Sequence, residues 1–357
     1  MKTREVKLGE VANVKGGKRI PKGIGLINIP NGHPYIRVRD LNNKRLLELD
    51  NSYEYVDNET QKVISKYTVK TGDVVLSIVG TIGLVAIVGR TLDGANLTEN
   101  CAKLSSFHGV NRDFLYYYLR SDCGQQEIRC GTVGAVQAKL PIKNIQNIAI
   151  NLPDYTTQER IASLLLSIDR KIELNQKIND NLEQQAVALF KSWFVDFSLF
   201  GGTVPENWED TTLENITTLI TRGIAPKYSD NSDQTVVNQK CIRNHTIDLS
   251  LARTHTPKAI NEKWLKFGDL LINSTGDGTL GRVAQVWFAP KALTVDSHVT
   301  IVRPAREELI FYIGLWGILH EKEIESLHTG STGQTELPRD RVKMLKLLLP
   351  DNISLSR

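Results

Sequence analysis

Apolar and polar positions alternate with one period over a single long stretch, residues 156–197 (TTQERIASLLLSIDRKIELNQKINDNLEQQAVALFKSWFVDF). Ile161, Ile168, Leu182 and Leu189 recur at seven or multiples of seven, and Leu165, Ile172, Ala186 and Trp193 form a second row four residues on. That spacing predicts a helix with an apolar stripe of coiled-coil type. Thr156 with Glu159 reads as a capping box at its start, and no Gly or Pro follows before Phe197. Asn175 falls on the stripe, where a polar residue fixes register at some cost in stability. A helix of about 40 residues is roughly 60 Å long. It reads as a spacer whose stripe (Ile161, Leu165, Ile168, Ile172, Asn175, Leu182, Leu189) requires a helical partner.

On either side of this helix the pattern repeats. YTVKTGDVVLS (67–77) aligns with KWLKFGDLLIN (263–273), and Thr81–Ala86 aligns with Thr279–Ala284. Likewise GTVGAVQAKLP (131–141) aligns with GSTGQTELP (330–338), and Leu152-Pro153-Asp154 with Leu349-Pro350-Asp351. Within the first copy, Leu8–Val14 reads as a short amphipathic start and YIRVRDL (35–41) as a strand with alternating basic residues. Asp57–Ser65 and Asp113–Leu119 read as helices. Val74–Val79 with Val85–Val88 reads as a hairpin, and Ile145–Leu152 as a final strand. The expected fold class is therefore α+β: two similar mixed α/β domains joined by a long coiled-coil-forming helix. The expected boundaries are 1–153 for the first domain, 154–200 for the helix and 201–350 for the second domain. Residues 351–357 (DNISLSR) lie on DYTTQER (154–160), where the first copy enters its helix. A second such helix is expected there, either truncated or supplied by another chain.

Composition narrows the class. Over 357 residues, 41% are hydrophobic and 24% charged, as in ordinary globular domains. The formal charge of +4 is compatible with nucleic acid without requiring it. The four cysteines lack CxxC spacing and read as free thiols of a reducing cytoplasm. No apolar run is long enough to span a membrane, and MKTREVKLGE is not a signal peptide.

Catalytic signatures are weak. Gly276–Gly281 matches GxGxxG, but a strand pattern follows it where a dinucleotide fold needs a helix, so a hairpin turn is expected. Gly16-Gly17-Lys18 lacks the first glycine and the Ser/Thr of a phosphate-binding loop. There is no HExxH, GxSxG or amino-methyltransferase loop, and no metal or cofactor ligand set is expected in this chain. Glu99 and Lys103 form no nuclease pair and read as surface or strand residues.

Basic residues in glycine-rich loops are the better candidates. Lys15, Lys18, Arg19 and Lys22 surround the first such loop, and Arg37 and Arg39 are expected on one face of the next strand. Arg222, Lys227, Lys240 and Arg243 fall in corresponding stretches of the second copy, and Gln137 and Gln334 sit in the matched loops. These side chains suit phosphate contact and base-edge reading, although solvated surface charge explains the same residues. Two similar domains on one long helix suit the reading of two half-sites.

The central stretch 152–197 resembles the conserved helical region of specificity subunits of type I restriction–modification enzymes. The repeated GD-[VL]-[VL] and TxG-V-A turns and the G-[TS]…Q…LP loop are similar to that family's target-recognition domains. The resemblance covers the whole chain apart from the missing second helix, which in the family packs antiparallel on the first. It implies a non-catalytic, cytoplasmic DNA-binding subunit in which each domain reads half of a split double-stranded DNA site and the helix sets the gap. The implied partners are methylation subunits, which carry S-adenosylmethionine, and motor-nuclease restriction subunits. An unpaired stripe would also allow a homodimer. A two-lobed protein scaffold that oligomerises through the helix is the alternative.

Overall fold

The structure, a computed structural model, describes residues 3–41, 44–134, 137–276, 278–330 and 335–355. It divides into two compact units, residues 1–175 and 176–357, with the division inside the long helix. The two units share three corresponding sheets, the main one with five strands in the first unit and four in the second, which adds a two-stranded hairpin, Ile242–Arg243 with Thr246–Ile247. In the first, the main sheet runs Asn13–Gly16, Cys101–Ser105, Val74–Ser77, Val85–Val88, Leu46–Leu47. A second sheet places Pro34–Ile36 parallel to Asn96–Leu97 and antiparallel to Glu54–Tyr55. A third pairs Thr3–Lys7 with Ala149–Pro153. The second unit repeats this plan with Thr217–Arg222, Val299–Pro304, Leu270–Asn273 and Val283–Gln285 in its main sheet. Its Thr235–Val237 strand runs parallel to Leu293–Val295 and antiparallel to Arg253–Thr254, and Glu209–Thr212 pairs with Lys346–Leu349.

The uniformly apolar central strands have a direct cause. Val74 and Leu76 enter one core with Leu115 and Leu119, whereas Val75, Ala86 and Val88 enter another on the opposite face. Leu270 and Ile272 are divided from Leu271 and Ala284 in the same way. A sheet covered on both faces has no place for polar alternation.

The repeated Gly-Asp turn closes this sheet. Gly72 and Gly268 adopt φ of +88° and +86°, which favours glycine. The aspartate that follows accepts from the backbone N–H of Lys70 (2.9 Å) in one copy and Lys266 (2.8 Å) in the other. It also meets a cation from the neighbouring strand. Lys103 lies 3.6 Å from Asp73 and donates to the Thr68 carbonyl; Arg303 makes two 2.8 Å bonds to Asp269 and donates to the Trp264 and Glu262 carbonyls. Lys103 is thus a structural strand residue.

Several expectations change in detail. The long helix spans Tyr155–Phe194, and Asp154 caps it, accepting from Thr157 N–H (2.9 Å) and Thr157 Oγ1 (2.7 Å); the Thr156–Glu159 box is not what starts it. A short carboxylate one residue before the first turn reaches the free N–H groups more directly than Thr156, already inside it. At Asp351 the same cap recurs, accepting from Ser354 N–H at 2.7 Å, and a short helix Asn352–Leu355 follows. Arg37 and Arg39 do not alternate along a strand. The strand ends at Ile36, and Val38–Leu41 turns into a 3-10 helix because buried Asp40 accepts from Arg37 N–H at 2.7 Å. The final strand begins at Ala149 rather than Ile145, after a short helix Ile142–Gln146. A further helix, Asp122–Gly131, is not among the expected elements; it starts where the Ser121 side chain accepts from Gly124 N–H.

The long helix is held at its ends. Ile161 and Ala162 join the first unit's core. Buried Gln158 accepts from Asn111 N–H (2.8 Å) and donates to the Pro153 carbonyl, and Tyr117 donates to Asp169 at 2.7 Å. In the second unit Phe190 is buried among Phe194 and Tyr312. Every residue from Lys171 to Leu182 is exposed, however, including Ile172, Asn175 and Leu182 of the stripe. Ile168 and Leu189 are exposed as well, and Leu165 is half-buried. Among the described residues no helix is long and apolar enough to cross a membrane.

His245, at a hairpin tip where it and Asn244 both adopt positive φ, ties the second unit to this helix. Its Nδ1 lies 2.6 Å from Glu183 on the helix and its Nε2 lies 3.5 Å from Glu321. The bond to Glu321, opposed by burial and assisted by Glu183, raises its pKa to about 9. Because the folded value is raised, the stabilisation is complete below the unfolded value and is lost as pH climbs through about 9. His245→Gln is therefore expected to cost about 1 kcal/mol near neutral pH, a modest sum for a partly solvated pair. Chemical denaturation of both proteins across pH should show the difference closing above that pKa. Asp269→Asn leaves buried Arg303 without its counter-charge and should cost about 3 kcal/mol, read as a lower thermal midpoint.

Candidate nucleic-acid interface

Four loops converge at one end of the main sheet in each unit. In the first, Gly17 N–H donates to the Cys101 carbonyl (3.0 Å) and Lys18 N–H to that of Leu97 (2.8 Å). Ile78 N–H donates to Asn100 (2.8 Å), and Leu140 N–H to Ile78 (2.9 Å). In the second, Gly223 N–H donates to Val299 (3.1 Å), Ile224 N–H to Val295 (2.9 Å), Ser274 N–H to His298 (2.8 Å) and Leu337 N–H to Ser274 (2.8 Å). The two networks match bond for bond. Glycine is required where the first loop crosses: a Cβ on Gly17 would lie 2.1 Å from the Thr98 carbonyl oxygen, and one on Gly223 2.0 Å from that of Val295.

This crossing pins the first basic loop to the sheet end. Lys15, Lys18, Arg19 and Lys22 are all exposed there. The ammonium of Lys18 stands 5.6 Å from the centroid of the Tyr67 ring. The guanidinium of Arg19 meets Glu99 at 2.5 Å. Burial works against the Glu99 charge, but the bond from Arg19 prevails and holds its carboxyl below the usual range. Exposed Lys139, bridged to Val79, stands beside this end, with exposed Gln137 two residues before it. Arg37 and Arg39 instead converge on Glu54, Arg39 at 2.7 Å. Burial raises neighbouring Asp40 to about 6, against the pull of Arg39.

In the second unit Arg222 is paired with Glu336 and donates to the Leu337 carbonyl at 2.7 Å. Arg243 is folded back on the carbonyls of Gln239 (2.7 Å) and Ile242 (2.6 Å), whereas Lys227 and Lys240 are exposed. Gln334 lies outside the described residues, as does Asp277 of the glycine-rich turn, which joins two antiparallel strands as a hairpin. Sequence reasoning missed Gln239, Thr275 and His298, which form a polar chain at the sheet end: Thr275 Oγ1 donates to Gln239 Oε1 (3.0 Å) and lies 2.8 Å from His298 Nδ1. It also missed Arg253, whose guanidinium stacks 3.7 Å from the Tyr228 ring centroid. Single polar residues in unrelated loops carry no periodic signal. Among the described residues no group of three or more His, Cys, Asp or Glu could hold a metal ion.

Fold and site together define a chain of two repeated α+β units that share one long helix, each unit ending in a loop face of polar and charged side chains. A sequence profile of the type I restriction modification DNA specificity domain matches residues 2–184, and the chain belongs to that family. It is 24% identical over 290 residues to the MjaIX specificity subunit of Methanocaldococcus jannaschii, covering 75% of this chain and 65% of that protein. It is 45% identical over 71 residues to the HindI specificity subunit of Haemophilus influenzae, 20% of this chain and 15% of that one. The chain thus spans less than two thirds of the length of these curated relatives. The crystal structure of a type I restriction–modification S subunit from M. genitalium shares the fold, with a TM-score of 0.55 and 15% identity, covering all of this chain and 87% of that one.

If the crossing pins the loop face, Gly17→Ala should displace it. The expected cost is about 2–4 kcal/mol, since backbone rather than a flexible side chain must yield. A thermal midpoint equal to the parent's would mean that the crossing has more room than the geometry allows.

Proposed function

We propose that this chain is the DNA-reading specificity subunit of a type I restriction–modification complex, each unit reading one half of a bipartite double-stranded site. The observation that carries this reading is the duplicated loop face, built twice by the same backbone bonds in a chain of the DNA specificity family. Lys15, Lys18, Arg19, Lys22 and Lys227 supply phosphate contacts, and Gln137, Gln239, Thr275 and Gln334 supply base-edge contacts. Phosphate contacts set register and salt dependence, whereas base contacts set the sequence.

The long helix sets the gap between half-sites and docks protein partners. The exposed stripe at Ile168, Ile172, Leu182 and Leu189 supports a helical partner, either a helix of another subunit or the same helix of a second copy. Methylation subunits bring S-adenosylmethionine and the chemistry, restriction subunits join for cleavage in the cytoplasm, and this chain contributes recognition alone.

The test is to map methylated adenines in DNA treated with this chain and its methylation partner. A bipartite motif with a fixed spacer is expected. Inserting about one helical turn, roughly four residues, in the exposed stretch Lys171–Leu182 should lengthen the spacer and leave both half-sites unchanged. A single undivided motif, or a spacer indifferent to the insertion, would sink the two-unit reading. Binding to duplex DNA with no steep salt slope and no sequence preference would favour a protein scaffold instead.

A further inference from the structure

Among the described residues each loop face pairs an arginine with a glutamate, Arg19 with Glu99 and Arg222 with Glu336. The side chain of Arg19 is 76% exposed, and Glu99 is its only hydrogen-bonded side-chain partner among the described residues. Glu99 sits at the tip beneath the Gly17 crossing, bonded to Arg19, and Lys18 and Lys139 flank the same sheet end. In the second unit Glu336 is 55% exposed and holds Arg222. Each pair also has a half-buried member, Glu99 at 28% and Arg222 at 27% exposed, and Arg222 keeps its bond to the Leu337 carbonyl; such partly solvated pairs do not hold the fold as the buried Asp269–Arg303 pair does. Nor do they descend from the shared scaffold. The matched backbone bonds put Lys139 where the second unit has Glu336, and Ser297 where the first has Glu99. The same arrangement is reached from different positions.

A carboxylate at a phosphate-binding face is costly. DNA approaching Arg19 or Arg222 must displace the glutamate and then tolerate its charge beside the backbone. Repayment comes only where a base edge offers the freed carboxylate a donor, as the amino group of cytosine does. On any other sequence the arginine stays with its glutamate and adds nothing to phosphate binding.

We propose that Glu99 and Glu336 are specificity-determining residues, each holding an arginine of the loop face back from DNA of the wrong sequence. This deepens the reading of the loop faces as DNA-binding and rests on it.

The test uses the full chain assembled with its methylation subunits. Glu99→Gln and Glu336→Gln keep the side chain's shape and remove its charge. Affinity is measured for a random-sequence duplex and for a duplex carrying the methylated motif, over a range of salt. Each variant should bind the random duplex about 3–10-fold tighter, with a log–log salt slope steeper by about one contact. Affinity for the motif should gain less, so discrimination falls. In Glu99→Gln with Arg19→Gln the gain on random DNA should disappear. An unchanged random-DNA affinity and slope, preserved discrimination, equal weakening on both duplexes, or a gain that persists in the double variant would each overturn the proposal. If the parent complex itself binds every duplex without salt dependence, the DNA-binding reading fails and takes this proposal with it.

Discussion

Each unit depends on a small sheet that is buried on both faces. Such a sheet needs apolar side chains in both directions, a layer on each side, and some way to finish its ends without stranding polar groups. The Gly-Asp turn meets the last demand at one end. A left-handed glycine makes the bend, and the aspartate accepts from the backbone N–H three residues before it while neutralising a cation from the adjacent strand. Asp269 and Arg303 are both almost fully withdrawn from solvent, so neither is tolerable without the other. The repeated motif is therefore a structural device, and its recurrence marks the fold rather than any chemistry.

At the sheet's other end the backbone passes so closely at Gly17 and Gly223 that side chains are excluded, and the loops beyond are free to vary. This is the usual separation between a fixed scaffold and loops that carry function. The two copies show how far that freedom extends. They share every backbone bond of the crossing, yet one face carries Arg19 with Glu99 and the other Arg222 with Glu336 and a Gln239–Thr275–His298 chain. Two units of one fold thus present different polar surfaces, as the proposed reading of two unlike half-sites requires.

The helix obeys another constraint. Its ends are tied down by Gln158 and Asp169 in the first unit and by Phe190 and His245 in the second. Its middle shows water a run of isoleucines and leucines that no isolated helix benefits from exposing. An apolar stripe at heptad spacing is stabilised by another helix, and its exposure is the physical basis for the proposal that this stretch docks a partner.

Much was legible in the chain alone. The heptad rows from Ile161 to Trp193, uninterrupted by Gly or Pro, determined one long helix, because periodicity over that length leaves no other element. The ordered recurrence of Gly-Asp, the apolar hairpin and Leu-Pro determined two similar α+β units, because each motif performs a backbone task that is local in sequence. What only the tertiary structure decided was the company kept by the charges. Arg37 and Arg39 were read as one strand face, but a turn capped by Asp40 sends both to Glu54. Arg19 and Glu99 are 80 positions apart and meet only because Gly17 crosses beneath Thr98. Helices and strands are written in short-range patterns, whereas a binding face is assembled from loops whose proximity no local pattern encodes.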